Sequence, residues 1–291
     1  MMYAPASDGH RLVTSKGAKI WYRHVEGDGP TCVFLHGLGG NSVPLRRLAA
    51  PLEEHGRATL LVDLRGHGLS DAPETATYSL EEYALDVLEV LNSLGIERID
   101  MVGHCMGGMV VLKIRELRPE VLGNVVLIST SSRTRRDARS RTIGTAARFA
   151  DSVLSTVAPR FYRKRVMAHS DPCVFPRHPD IYLPRLRADV ANTSLRVIAR
   201  SLSGILAADM RAAAASSDHR VLVIHGCRDV IVPVAAARET HALIEGSRLV
   251  LKESDGHVSH VLGDVESLSG DVCVFLGVAT DEQRDTAWDG G

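Results

Sequence analysis

Short apolar, β-branched runs alternate with helical patterns along most of this 291-residue chain, and that alternation leaves few folds open. Thr31 to Leu35 (TCVFL) and Ala58 to Asp63 (ATLLVD) read as buried strands, as do Ile99 to Val102, Asn124 to Ile128 and Arg220 to His225 (RVLVIH). Ala18 to His24 reads as an edge strand after a hairpin turn near Gly17. Val43 to Glu54, Leu80 to Leu94 and Met106 to Leu117 carry helical periodicity; in the second, Tyr83, Val87, Val90, Leu91 and Leu94 form one apolar stripe. Strands and helices joined by short connections predict an α/β fold: a mostly parallel sheet with crossover helices on both faces. Continuously apolar strands suit burial on both sides.

The rhythm changes between Ser131 and His219. Arginines crowd the stretch Arg133 to Arg141, prolines stand at 159, 172, 176, 179 and 184, and helical patterns persist without a convincing strand. The alternation then resumes, so this middle is read as an insertion and not as a second domain. The expected organisation is a first part of the core over 1–130, a helical cap over 131–219, the second part of the core over 220–278, and a polar tail over 279–291.

Bulk properties narrow the function. A formal net charge of −1 gives no reason to expect nucleic acid, an anionic membrane or a strongly charged partner. Five cysteines (32, 105, 173, 227 and 273) are scattered, odd in number and never spaced as CxxC, which argues against a disulfide framework or a zinc site and for a reducing compartment. The N-terminal residues hold no apolar run of the signal-peptide kind, and no stretch approaches the roughly 20 apolar residues of a membrane helix. A cytoplasmic protein is expected.

The chemistry concentrates at Val102–Val110, VGHCMGGMV. Glycines at 103, 107 and 108 permit a tight turn from strand to helix, which lifts the middle side chain, Cys105, out of the sheet. It also sets the sulfur at a helix N-terminus, where free N–H groups and the helix dipole favour an anion. A thiol held there ionises more readily than a free one. The plainer reading of Cys105 is a small residue at a tight corner.

This stretch resembles the nucleophile elbow of the α/β-hydrolase fold, Gly-x-Ser-x-Gly, with cysteine in place of serine. Four further motifs resemble that family in its own order: the oxyanion loop His36-Gly37-Leu38-Gly39, the loop from Asp63 to Ser70 (DLRGHGLS), the acid loop from His225 to Pro233 (HGCRDVIVP), and the histidine loop Asp255-Gly256-His257. Together they span essentially the whole chain outside the cap. The resemblance implies a triad in which Cys105 attacks an acyl carbon, His257 takes or holds its proton, and Asp229 orients His257. It also implies an oxyanion hole made of the main-chain N–H groups of Leu38 and Met106, and a pocket that Gly37, His104, Ile231 and His260 would line. The alternative acid position, after the strand ending at Ile128, offers only Ser129, Thr130, Ser131 and Ser132. His260 is the rival ring three residues beyond His257. His36 and His67 are expected to pin loops, Cys227 to fill core, and the arginine run to be a solvated face, or else to meet an anionic substrate. His225, Asp229, His257 and His260 leave no convergent metal set once the triad has used its members, so neither a metal nor a cofactor is expected.

Aspartate stands at the elbow of haloalkane dehalogenases and epoxide hydrolases, and an aromatic residue follows His-Gly in the cofactor-free haloperoxidases; this chain has Cys105 and Leu38. The Gly107-Gly108 pair and the cap ending Leu206-Ala-Ala-Asp-Met-Arg211 are more similar to the capped enol-lactonase type, and dienelactone hydrolases are similar in using cysteine. The acyl-enzyme would be a thioester. Because thiolate is itself a good leaving group, activated acyl donors fit best: esters, thioesters or lactones, free or carrier-bound. Acyl transfer, cyclisation or elimination could use the same site, and a ligand-binding protein could keep the pocket without turnover.

Overall fold

In the computed structural model the described residues are 9–134, 138–163, 165–169, 171, 180–215 and 219–278. The expected tail, and with it Arg135, Arg136 and Cys173, lies outside them. Eight strands form one sheet: β1 (His10–Val13), β2 (Lys19–Val25), β3 (Asp28–Leu35), β4 (Arg57–Val62), β5 (Ile99–His104), β6 (Leu122–Ile128), β7 (Val221–Gly226) and β8 (Arg248–Lys252). Their spatial order is β1-β2-β4-β3-β5-β6-β7-β8. The pairings β1–β2 and β2–β4 are antiparallel, and every later one is parallel. The strand read as an edge, Ala18 to His24, is covered by β1 across a hairpin whose Gly17 takes a φ of 79°. β1 and β8 escape the apolar-run criterion because both lie at the rims of the sheet and are mostly exposed or half-buried.

Alternation along the strands builds a core on each face. Val33 and Leu35 of β3 point to one side, with Leu60 and Val62 of β4, and meet α2 (Leu80–Ser93) and α3 (Met106–Leu117). Cys32 and Phe34 point to the other, with Leu61, Val102, Val126 and Leu222, and meet α1 (Arg46–Glu54) and α11 (Val265–Phe275). α2 begins where its stripe predicts: the Ser79 hydroxyl accepts the Glu82 N–H, and the Glu82 carboxylate turns back to accept the N–H of Tyr78.

Between β6 and β7 the described residues form helices α4 (Ala138–Val157), α5 (Pro159–Arg163), α6 (Leu183–Thr193), α7 (Leu195–Ala207) and α8 (Arg211–Ala215). This insert is tied to the loop after β4 through main-chain acceptors. Arg165 donates to the carbonyls of Gly68 and Ser70 at 2.6 Å each, Arg196 to Ala72, and Arg200 to Glu74 and Ala76. After β7 come α9 (Val234–Leu243), β8, and then α10 (Ser259–Leu262), which leads into α11. No helix among the described residues is long and apolar enough to cross a membrane.

Candidate active site

Cys105 occupies the step between β5 and α3 with φ 53° and ψ −116°, a conformation that L-residues rarely adopt. The surrounding backbone enforces it. The Cys105 N–H donates to the Ile128 carbonyl at 3.0 Å, and its own carbonyl accepts the Thr130 hydroxyl at 2.6 Å. The two bracketing glycines are required by close approach: a Cβ on Gly103 would lie 2.6 Å from the Gly108 Cα, and one on Gly107 would lie 2.3 Å from the Leu35 carbonyl oxygen. Packing thus seats the elbow on the neighbouring strands and turns the sulfur upward, half-buried, at the start of α3.

Asp229 sits in the loop after β7, and His257 in the loop after β8. The His257 Nδ1 donates to Asp229 Oδ2 at 2.8 Å, and the Cys105 sulfur lies close enough to the same ring to act on its charge. The remaining Asp229 oxygen accepts the N–H groups of Ile231 and Val232 at 2.8 Å each. His225 Nε2 donates chiefly to the Val232 carbonyl at 2.8 Å and reaches Asp229 Oδ2 at 3.3 Å. Burial disfavours the charged form of Asp229. The hydrogen bonds from His225 and His257 and the N–H of Val232 outweigh it, and the carboxyl falls to about 2. Burial likewise opposes the charged form of His257. The anionic form of the Cys105 sulfur and the Asp229 carboxylate more than compensate, and the imidazole is pushed up to about 10.

His257 rather than His260 is therefore the ring that meets the carboxylate. His260 is buried, stacks on His104 with ring centroids 4.1 Å apart, and is driven down to about 3, first by desolvation and then by the charge of His257. His104 donates from Nε2 to the His257 carbonyl at 2.9 Å, so it supports the histidine loop; burial holds it well below its usual value, and it stays neutral. His36 and His67 make loop contacts. His36 Nδ1 donates to the Gly37 carbonyl while its Nε2 accepts the Leu64 N–H, and His67 Nδ1 donates to the Arg65 carbonyl. Cys227 departs from the core-filler expectation: it is half-buried beside Glu253, because β7 ends at Gly226 and the chain turns outward there. Arg133 pairs with Glu239 of α9 at 2.7 Å.

A cavity of about 100 Å³ opens above the sulfur. Gly37, Leu38, His104 and His260 line it together with Cys105 and His257. Ile231 does not: its side chain is 48% exposed, and it contributes an N–H to Asp229 from the outer side of the loop. Leu38 lies on the lining loop and Met106 opens α3. Arg185 and Asp189 from α6, with Asn41 and Pro44 after the oxyanion loop, complete the wall and were not anticipated from sequence. Arg185 Nε lies 3.8 Å from Asp189 Oδ2, and burial raises the Asp189 carboxyl to about 6 against the pull of that guanidinium. A charged pair at i, i+4 on an amphipathic helix carries no sequence mark of facing a cavity.

The model of the alpha/beta hydrolase fold family matches residues 30–264. The chain belongs to that family. Among curated relatives of this hydrolase-fold chain, an uncharacterised protein of Mycobacterium tuberculosis (strain H37Rv) is 30% identical over 254 residues, covering 80% of this chain and 71% of that protein. A Pseudomonas savastanoi pv. phaseolicola protein provisionally named carbamate hydrolase RutD is 29% identical over 257 residues, 82% of this chain and 91% of the relative. Among solved structures, a hydrolase from Pseudomonas aeruginosa superposes with a TM-score of 0.75 at 27% identity, over 94% of this chain and 99% of that one. The enol-lactonase from Burkholderia xenovorans LB400 does so with a TM-score of 0.73 at 26% identity, over 92% and 100%.

Proposed function

We propose that this hydrolase-fold chain cleaves small activated acyl compounds (esters, lactones or carbamates) through a covalent thioester on Cys105. The observation that carries the reading is the hydrogen bond from His257 Nδ1 to Asp229 at 2.8 Å, with the Cys105 sulfur close to the same ring and on the wall of a cavity. Enol-lactone and carbamate cleavage, the activities in the relatives' names, both require attack on a carbonyl carbon.

In the proposed cycle the Cys105 sulfur, as thiolate beside the His257 imidazolium, attacks the carbonyl carbon. The N–H groups of Leu38 and Met106 receive the oxygen as it becomes an oxyanion; one such donor is worth about 3 kcal/mol to a transition state. As the intermediate collapses, the carbon–oxygen bond to the leaving group breaks and His257 supplies the proton that the leaving group needs. A water then replaces it. His257, now neutral, takes a proton from this water as its oxygen attacks the thioester carbon, and collapse of the second intermediate expels the thiolate and frees the acid. Asp229 stabilises the imidazolium in both halves. The expulsion of sulfur is easy, so the demanding step is the departure of the first leaving group, and for that reason the reading selects acyl donors whose leaving group is stable.

The test is incubation with p-nitrophenyl acetate followed by intact-mass measurement. A burst of p-nitrophenolate with one acetyl group on the chain, both lost in Cys105→Ala, is the expected result. Undiminished turnover in Cys105→Ala would overturn the assignment.

A further inference from the structure

We propose that Asp180, supplied by the insert between β6 and β7, is a positioning residue of this site: its carboxylate fastens the acid loop to the histidine loop, so that seating the insert and aligning His257 are one event. The inference rests on the reading under Proposed function.

Asp180 stands outside both loops in sequence but holds each by its main chain. Oδ1 accepts the His257 N–H at 2.7 Å, and Oδ2 accepts the Val230 N–H at 3.3 Å. One of these N–H groups belongs to the triad histidine, and the other to the residue that follows the triad acid. The side chain is 9% exposed, so both bonds sit away from water, and either N–H would be costly to leave unpaired. Residue 256 has yielded to this contact: a Cβ on Gly256 would lie 2.5 Å from Asp180 Oδ1. The glycine of the Asp255-Gly256-His257 motif is thus the space into which the carboxylate fits.

The cavity reaches Asp180 through Arg185. That guanidinium lines the cavity and donates from Nη2 to the Asp180 carbonyl. A molecule pressed against Arg185 therefore bears on the residue that sets the histidine loop. Three further anchors of the insert, Arg165, Arg196 and Arg200, grip the carbonyls of residues 68–76. They hold the insert to the core without touching either triad loop, so the two kinds of attachment can be separated by mutation.

The experiment compares Asp180→Ala, Asp180→Asn and Arg200→Ala in the full chain, with p-nitrophenyl acetate turnover and with the rate at which iodoacetamide alkylates Cys105. Displacing a catalytic group by about an ångström costs roughly 10²-fold. Asp180→Ala is expected to lower kcat by about that factor while KM changes less than about threefold, and to slow alkylation of Cys105. Asn keeps one carbonyl oxygen for the His257 N–H but turns an NH₂ toward Val230, so Asp180→Asn is expected to recover part of kcat. Arg200→Ala, which loosens the insert elsewhere, is expected to raise KM and leave kcat and alkylation near the parent values. A kcat in Asp180→Ala within about twofold of the parent, or a loss confined to KM, would overturn the inference while leaving Cys105 chemistry standing. If the parent chain shows no Cys105-dependent turnover, the proposed function falls, and the alkylation rates alone decide Asp180: equal rates in parent and Asp180→Ala refute it. Should Asp180→Ala fail to fold, Asp180→Asn carries the same comparison.

Discussion

Replacing Asp229 by Asn probes the centre of the site with the least change in shape. One oxygen of Asp229 accepts the Ile231 and Val232 N–H groups at 2.8 Å, and the amide oxygen of Asn can take over those bonds. The other atom then becomes an NH₂ that faces His257 Nδ1 across 2.8 Å. Two donors cannot meet there, so the ring must surrender its Nδ1 proton and carry one on Nε2, toward the sulfur. It then no longer serves as a base on that side. The imidazolium also loses its nearest carboxylate. At 2.8 Å and an effective dielectric near 20, that attraction is of order 6 kcal/mol, of which rearrangement and residual water leave about two thirds. A loss of about 4–6 kcal/mol corresponds to roughly 10³- to 10⁴-fold in kcat/KM. His225 adds little to the change, because its Nε2–H keeps the Val232 carbonyl at 2.8 Å. The assay is kcat/KM for an alkyl ester or lactone, with the melting temperature as a check on folding. A folded Asp229→Asn variant that retained more than about a tenth of parental kcat/KM would refute the role given to this carboxylate.

Four other outcomes follow from the same geometry. Cys105→Ser should lower turnover by at least about 10²-fold, since a hydroxyl is shorter and depends wholly on general-base help; equal or higher activity would show that the site is not tuned to sulfur. Cys105→Gly should melt above Cys105→Ala, because glycine relieves a backbone at φ 53° whose strain costs of order 1–3 kcal/mol; the reverse order would show an unstrained elbow. His257 is charged below its value of about 10, so kcat/KM for an alkyl ester should fall as pH rises through about 10, whereas a p-nitrophenyl ester, whose leaving group needs no proton, should show no such fall. His67 and His260 are both held down to about 3, and burial lowers His104 and His36 as well, so stability is complete above the unfolded value of 6.5 and is lost as pH drops toward 3; His67 and His260 should each cost about 1.4 kcal/mol per pH unit in urea unfolding, a share that His260→Asn should remove from the slope and that a flat profile from pH 6 to 4.5 would contradict.

What can be read from the chain, and what cannot, divides along a physical line. β3, β4, β6 and β7 are buried over most of their length and each carries a largely apolar run that is visible in a linear sequence, whereas the run of β5 is interrupted by the buried Asp100. β1 and β8 lie at the rims, each with one neighbour, and nothing obliges them to carry such a run. The elbow is legible for a different reason: Gly103 and Gly107 are demanded by backbone approaching backbone, which no side chain can replace. The loops that carry Cys105, Asp229 and His257 are legible because they follow strands whose order in the sheet is fixed by the crossovers, so that three positions far apart in sequence share one rim.

The insert obeys no comparable rule. Its helices need only an apolar face, and that periodicity says nothing of where their polar side chains reach. Asp180, Arg185 and Asp189 reach the site by packing, at spacings that the sheet does not dictate. Their trace in the core is indirect. Gly256 gives way to the Asp180 carboxylate, whose Oδ1 would lie 2.5 Å from a Cβ placed there. Gly256, which has no positive φ to require a glycine, thus records where the insert presses down.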